Sequence, residues 1–129
     1  MKNRFCLIVP VVFGLLFLQT SLSLADDPLT VGPDVYKLKF ENDRVRVMEI
    51  AFVPGAKIAT HSHPDHTATF VTAGTLKLTY PDGTSKDISG NPGDTIFIPA
   101  ETHAAENIGT TEVKGIVVEL KESRPAPAE

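Results

Sequence analysis

Apolar and polar residues alternate in short runs along most of this chain, and turn-forming Gly, Pro, Asn and Asp interrupt them. Tyr36, Leu38 and Phe40 alternate with Lys37 and Lys39, the two-residue period of a half-buried strand. Glu41-Asn42-Asp43 carries turn chemistry. Residues 44–53 then predict a second strand, with Val45, Val47 and Met48 to Phe52 largely buried, closed by Pro54-Gly55. Further extended runs are expected at 57–63, 67–73, 75–80, 84–89, 95–98, 103–107 and 113–120. Pro64-Asp65, Pro81-Asp82-Gly83 and Gly90-Asn91-Pro92-Gly93 turn the chain between them, and Gly74 is read as a bulge or sharp bend. Lys86 and Asp87 suit an edge strand that must not pair with other chains. No apolar period of 3.6 lasts three turns beyond the N-terminal segment, so no helix is expected there. Short strands punctuated in this way predict an all-β, antiparallel sandwich or barrel, in which a closed or nearly closed double sheet hides the strand edges.

The two ends break the pattern. Lys2 and Arg4 precede an almost wholly apolar run from Phe5 to Leu18, and Ser23-Leu24-Ala25 has the small residues a signal peptidase reads. Residues 1–25 are therefore expected to be a secretory signal cleaved after Ala25; Pro10, Gly14 and the polar stretch from Gln19 argue against an uncleaved membrane anchor. Residues 26–34, with Pro28, Gly32 and Pro33, read as a flexible arm, 35–120 as one β domain, and 121–129 as a disordered tail. The expected location is exported, either periplasmic or secreted. Cleavage would remove Lys2, Arg4 and the only cysteine, Cys6, leaving 12 − 2 = 10 basic against 16 acidic residues, a net charge of −6. An exported domain without a disulfide must be held by packing or by a metal. Its modestly acidic surface, without a basic patch, excludes nucleic acid as an expected partner and, after cleavage, a membrane.

Chemistry concentrates in the histidines. Of four, His61, His63 and His66 fall within six residues, and His103 lies about forty further on. Strand positions two apart share a face, so His61 and His63 can present two imidazoles to one point, and a metal is what neutral imidazoles most often share. The alternative, an exposed loop pair with no role, is common for a lone His-x-His.

The frame around them resembles the cupins, small jelly-roll barrels with a metal site carried on two motifs. Gly55, five residues, His61-x-His63 and then Gly74 match the first; Gly93, five residues, Pro99, His103 and Asn107 match the second. The usual glutamate of the first motif should fall at Thr67 or Ala68, and neither is a carboxylate. The second motif is one residue short before His103, with Glu101 where a glycine is common. The resemblance thus implies a three-histidine site of His61, His63 and His103 for a divalent metal ion, with iron, manganese, zinc, nickel and copper not distinguished. It also makes a homodimer plausible. Without an anionic ligand, such a site keeps its full charge and favours a small anionic guest.

His66 is open between a fourth ligand, an outer-shell base and a solvated turn residue, and the parity of an inward Thr67 would turn it outward. Asn107 lies on the His103 face and either lines the pocket or satisfies turn groups. Glu101 and Glu106 are either acid–base groups or merely hydrated. Met48, Phe52, Phe70 and Phe97 are core by default. Ser62 lacks the partners of a nucleophile. The functional expectation is an exported metal-binding protein, possible as a three-histidine dioxygenase of a small organic substrate. The alternatives are a non-catalytic module whose metal holds a small ligand, and a barrel stapled by its ion.

Overall fold

A computed structural model describes residues 26–121. The expected leader at 1–25 and all but the first residue of the expected tail lie outside these residues. Nine strands follow one short helix: α1 (Pro28–Val31), β1 (Tyr36–Glu41), β2 (Val45–Phe52), β3 (Lys57–His63), β4 (His66–Phe70), β5 (Gly74–Thr79), β6 (Ser85–Gly90), β7 (Thr95–Ile98), β8 (Glu101–Asn107) and β9 (Val113–Leu120). They form a five-stranded sheet in the order β1-β2-β9-β4-β7 and a four-stranded sheet in the order β3-β8-β5-β6, with every strand pair antiparallel. This is the antiparallel double sheet that the alternation predicts, in the jelly-roll form that the resemblance implies.

The core lies between the sheets. Met48, Ile50, Phe52, Phe70, Val113 and Val117 come from one sheet, and Ile58, Leu76, Leu78 and Ala105 from the other. Phe97 does not join them: it is 48% exposed, on the outer face beside Thr67. The inward side of β7 belongs instead to Ile96 and Ile98, which line the interior.

The glycines of the two motifs are required for different physical reasons. Gly55 and Gly93 adopt φ of 77° and 92°, the left-handed turns that favour glycine. Gly74 does not. It opens β5 where an added Cβ would lie 2.3 Å from Val113 Cγ2, so it is a close approach of the two sheets rather than the expected bulge or bend.

Residues 26–34, read above as a flexible arm, are docked. Asp27 caps a single helical turn by accepting from Leu29 N at 2.9 Å, and Pro28 at the start of α1 is fully buried. Asp26 continues the ladder beside His61, its carbonyl accepting from Ser62 N at 3.2 Å. One turn is too short to leave a 3.6-residue pattern, which is why the apolar period missed it.

Candidate metal centre

Register builds the site. His61 on β3 stands directly opposite His103 on β8. Between Ile58 and His61 the register shifts, so three steps on β3 span two on β8. That irregularity re-phases the strand: Ile58, His61 and His63 are all buried, while Ala59 and Thr60 face out. The chain then turns at Pro64-Asp65 and crosses to the other sheet as β4. Rings therefore approach from both layers, with centroids 4.8 Å apart for His61 and His63, 4.8 Å for His61 and His103, and 4.7 Å for His63 and His66. One ring nitrogen from each of His61, His63 and His103 lies within 4.8 Å of the others.

His66 does not point outward. It is 2% exposed, and the inward set of β4 is His66, Ala68 and Phe70, not Thr67. The premise of an inward Thr67 fails because Thr67 pairs with Val118 and Phe97 in an outward row, whereas His66 pairs with Glu119. Thr67 does not line the interior, and the inward side chain nearest the missing glutamate's place is an imidazole. Asn107 shares the buried face of His103 but is not a pocket group. Its Nδ2 donates to Phe52 O and Thr111 O, each at 2.8 Å, and its Oδ1 accepts from Gly109 N, which fastens the turn after β8 to β2. Ser62 Oγ bonds Thr102 Oγ1 at 2.7 Å, and Glu106 pairs with Lys57 at 3.1 Å, so neither faces the cluster.

Every imidazole has its Nδ1 engaged. His61 donates to Ala59 O at 2.8 Å and His66 to Pro64 O at 2.8 Å; carbonyls only accept, so these tautomers are determined. His63 donates to Glu119 Oε1 at 2.6 Å, and His103 to Glu101 Oε1 at 2.8 Å. In its neutral form each ring is thereby left with a lone pair at Nε2, the arrangement by which acceptors orient metal-ligating histidines. This donor set suits a divalent ion. The charge balance differs from the sequence expectation, because two carboxylates stand directly behind two of the rings.

Glu119 is the residue the sequence reading missed, together with its partner. It is 2% exposed on β9 and faces Arg46 on β2, whose Nε donates to Oε2 at 2.6 Å. Arg46 also pairs with Asp27 at the cap of α1. Burial pushes the Glu119 carboxyl up, but the bonds from His63 and Arg46 outweigh it and hold it below the usual carboxylate range. The same carboxylate, with Asp27, outweighs the burial of the Arg46 guanidinium and keeps it charged. Glu101 goes the other way, raised by burial despite the bond from Tyr80.

Burial pushes His61 down to about 4 and His103 down to about 3, the latter helped by the neighbouring rings; burial lowers His66 as well. Unfolded histidine titrates near 6.5, so below that pH the unfolded chain takes protons that the folded one refuses, and stability rises with pH across the window. The metal-free protein should therefore lose about 10 °C or more in Tm between pH 7 and pH 4.5, since about 1 kcal/mol moves a domain of this size by several degrees. Calorimetry showing equal Tm at both pH values would refute neutral burial of these rings.

Residues 48–119 match the family model described as Cupin domain. Among solved structures, a cupin domain from Bordetella pertussis Tohama I is similar at 29% identity and TM-score 0.63, over 68% of this chain and 93% of that one. A cupin superfamily protein from Desulfitobacterium hafniense DCB-2 shares the fold at 19% identity and TM-score 0.53, covering 68% of this chain and 77% of that one. The polyketide cyclase RemF from Streptomyces resistomycificus does so at 24% and 0.52, covering 70% and 66%. No curated protein matches the chain.

Proposed function

Because the chain belongs to the cupin family, we propose that His61, His63 and His103 hold one divalent metal ion through Nε2, and that the protein is an exported, metal-dependent dioxygenase of a small anionic organic substrate. The observation that carries the metal reading is the common tautomer: each of these rings spends its Nδ1 proton on an oxygen acceptor and turns its remaining lone pair to the others. When bound, the ion supplies Lewis acidity and, where it is redox-active, the electrons of oxygen chemistry.

The chain's own groups supply the rest. Glu119 fixes the His63 ring, and Glu101 fixes that of His103, so neither must reorganise when a guest arrives. The walls beyond the rings are chiefly apolar, which disfavours bulk water at the reacting end. Export rests on the sequence alone, on the basic start, apolar run and small residues of 1–25.

Elemental analysis of protein purified from the exported compartment should find about one divalent ion per chain. Oxygen uptake with small diketones, thiols or phenolic acids should then depend on that ion. Absence of metal from protein isolated without chelator would overturn the proposal. Stoichiometric metal without oxygen uptake on any of these classes would turn the reading to a ligand-binding module.

A further inference from the structure

Tyr36 opens β1, outside the segment matched to the family model, and its hydroxyl reaches the histidine cluster. It stands 3.5 Å from His61 Nε2 and 3.4 Å from His63 Nε2. With both Nδ1 protons already placed, those nitrogens are acceptors, and the phenol's single proton is shared between them. The ring is held edge-on to Phe52 at 6.5 Å, and the residue is 5% exposed.

This contact conflicts with metal binding. An ion on His61 and His63 takes the same two lone pairs, and the phenolic proton must then find another acceptor. Glu119, the carboxylate whose charge acts on this phenol, already accepts from His63 at Oε1 and from Arg46 at Oε2. An oxygen of whatever occupies the ion's open side is the acceptor that the phenol reaches without competing with those two bonds. A buried hydroxyl without one would carry a desolvation cost, so the guest and the phenol stabilise one another.

The cavity beside the cluster limits the rest of that guest. It measures about 60 Å³, room for a body of roughly four to six heavy atoms. Away from the histidines and Tyr36 its walls are chiefly aliphatic, among them Ile50, Leu76, Leu78, Ile96 and Val117. The one cationic residue along it, Lys114, has its ammonium paired with Glu112 at 3.2 Å. A second anionic group on the guest would be buried there unpaired.

We propose that Tyr36 is a substrate-binding residue, donating a hydrogen bond to a guest oxygen at the histidine cluster, and that the guest is a short-chain monoanion with an aliphatic body. The proposal rests on the three-histidine metal reading.

The test loads wild type and Tyr36→Phe with cobalt(II), measures cobalt per chain, and titrates butyrate and succinate against the visible spectrum. Tyr36→Phe keeps the buried ring and should bind cobalt as wild type does. Its butyrate affinity should fall about tenfold or more, the loss of one hydrogen bond to a charged group. Succinate should bind wild type at least about tenfold more weakly than butyrate does. Unchanged butyrate affinity in Tyr36→Phe, or succinate bound as well as butyrate, overturns the assignment while the metal reading stands. Loss of cobalt from Tyr36→Phe alone also overturns it, by making the phenol part of the ion's own binding. Wild type that takes no cobalt overturns the metal reading and this assignment with it.

Discussion

Replacing His103 with alanine should give a folded protein that no longer retains a divalent ion. Only His103 brings the second strand, β8, into the three-nitrogen set, so its loss leaves two neighbouring rings on β3. Metal affinity should fall by more than the roughly 10–100-fold that loss of an outer-shell partner costs. The fold should survive, because the metal-free protein already bears the cost of desolvating this ring, which burial holds neutral down to about 3. Released from that cost, the variant's Tm should fall less steeply with acid than that of the wild type. His66→Ala is the control. His66 lies beside His63 but outside the three-nitrogen set, and most of the metal should stay bound. Elemental analysis finding a full complement of metal in His103→Ala would refute the ligand assignment.

The clarity of each strand's phase in the sequence decides which parts of this site could be read from it. In β4 the large apolar residue is Phe70, and Thr67 and Thr69 alternate against it, so an inward His66 was there to be found. Counting from the expected glutamate instead gave the opposite face. In β2 the inward residues Met48, Ile50 and Phe52 put Arg46 on the same side, a charge on an apolar face and hence a signal of a buried partner. That partner was hidden. Along β9 both faces are apolar, with Val113, Gly115 and Val117 on one and Ile116, Val118 and Leu120 on the other. The side Glu119 takes follows only from its pairing with Arg46 and His66. The His61–His103 alignment was out of reach for a related reason, since it depends on a register irregularity at Ala59 and Thr60 that no local turn signal marks. Nine extended segments were nevertheless legible, because turn residues bound each of them.

Two substitutions of Glu119 should separate its structural and chemical roles. Glu119→Ala leaves Arg46 with only Asp27 and strips the acceptor from a buried His63 Nδ1. Breaking a buried pair of this kind costs about 3–5 kcal/mol, which should lower Tm by roughly 10–20 °C. Glu119→Gln keeps the shape and most of the stability, but it should be the more damaging change for the metal. A guanidinium cannot accept a hydrogen bond, so the amide oxygen must face Arg46 and the amide NH2 must face His63 Nδ1. His63 can accept there only by moving its own proton to Nε2, the nitrogen that the ion needs. The expected result is a Tm within a few degrees of wild type, with metal affinity lowered at least as far as by Glu119→Ala. Imidazole nitrogen shifts in NMR of the metal-free protein should report the inverted tautomer directly. Wild-type metal affinity in Glu119→Gln, or a His63 proton still on Nδ1, would show that the carboxylate does not set the tautomer of this ring.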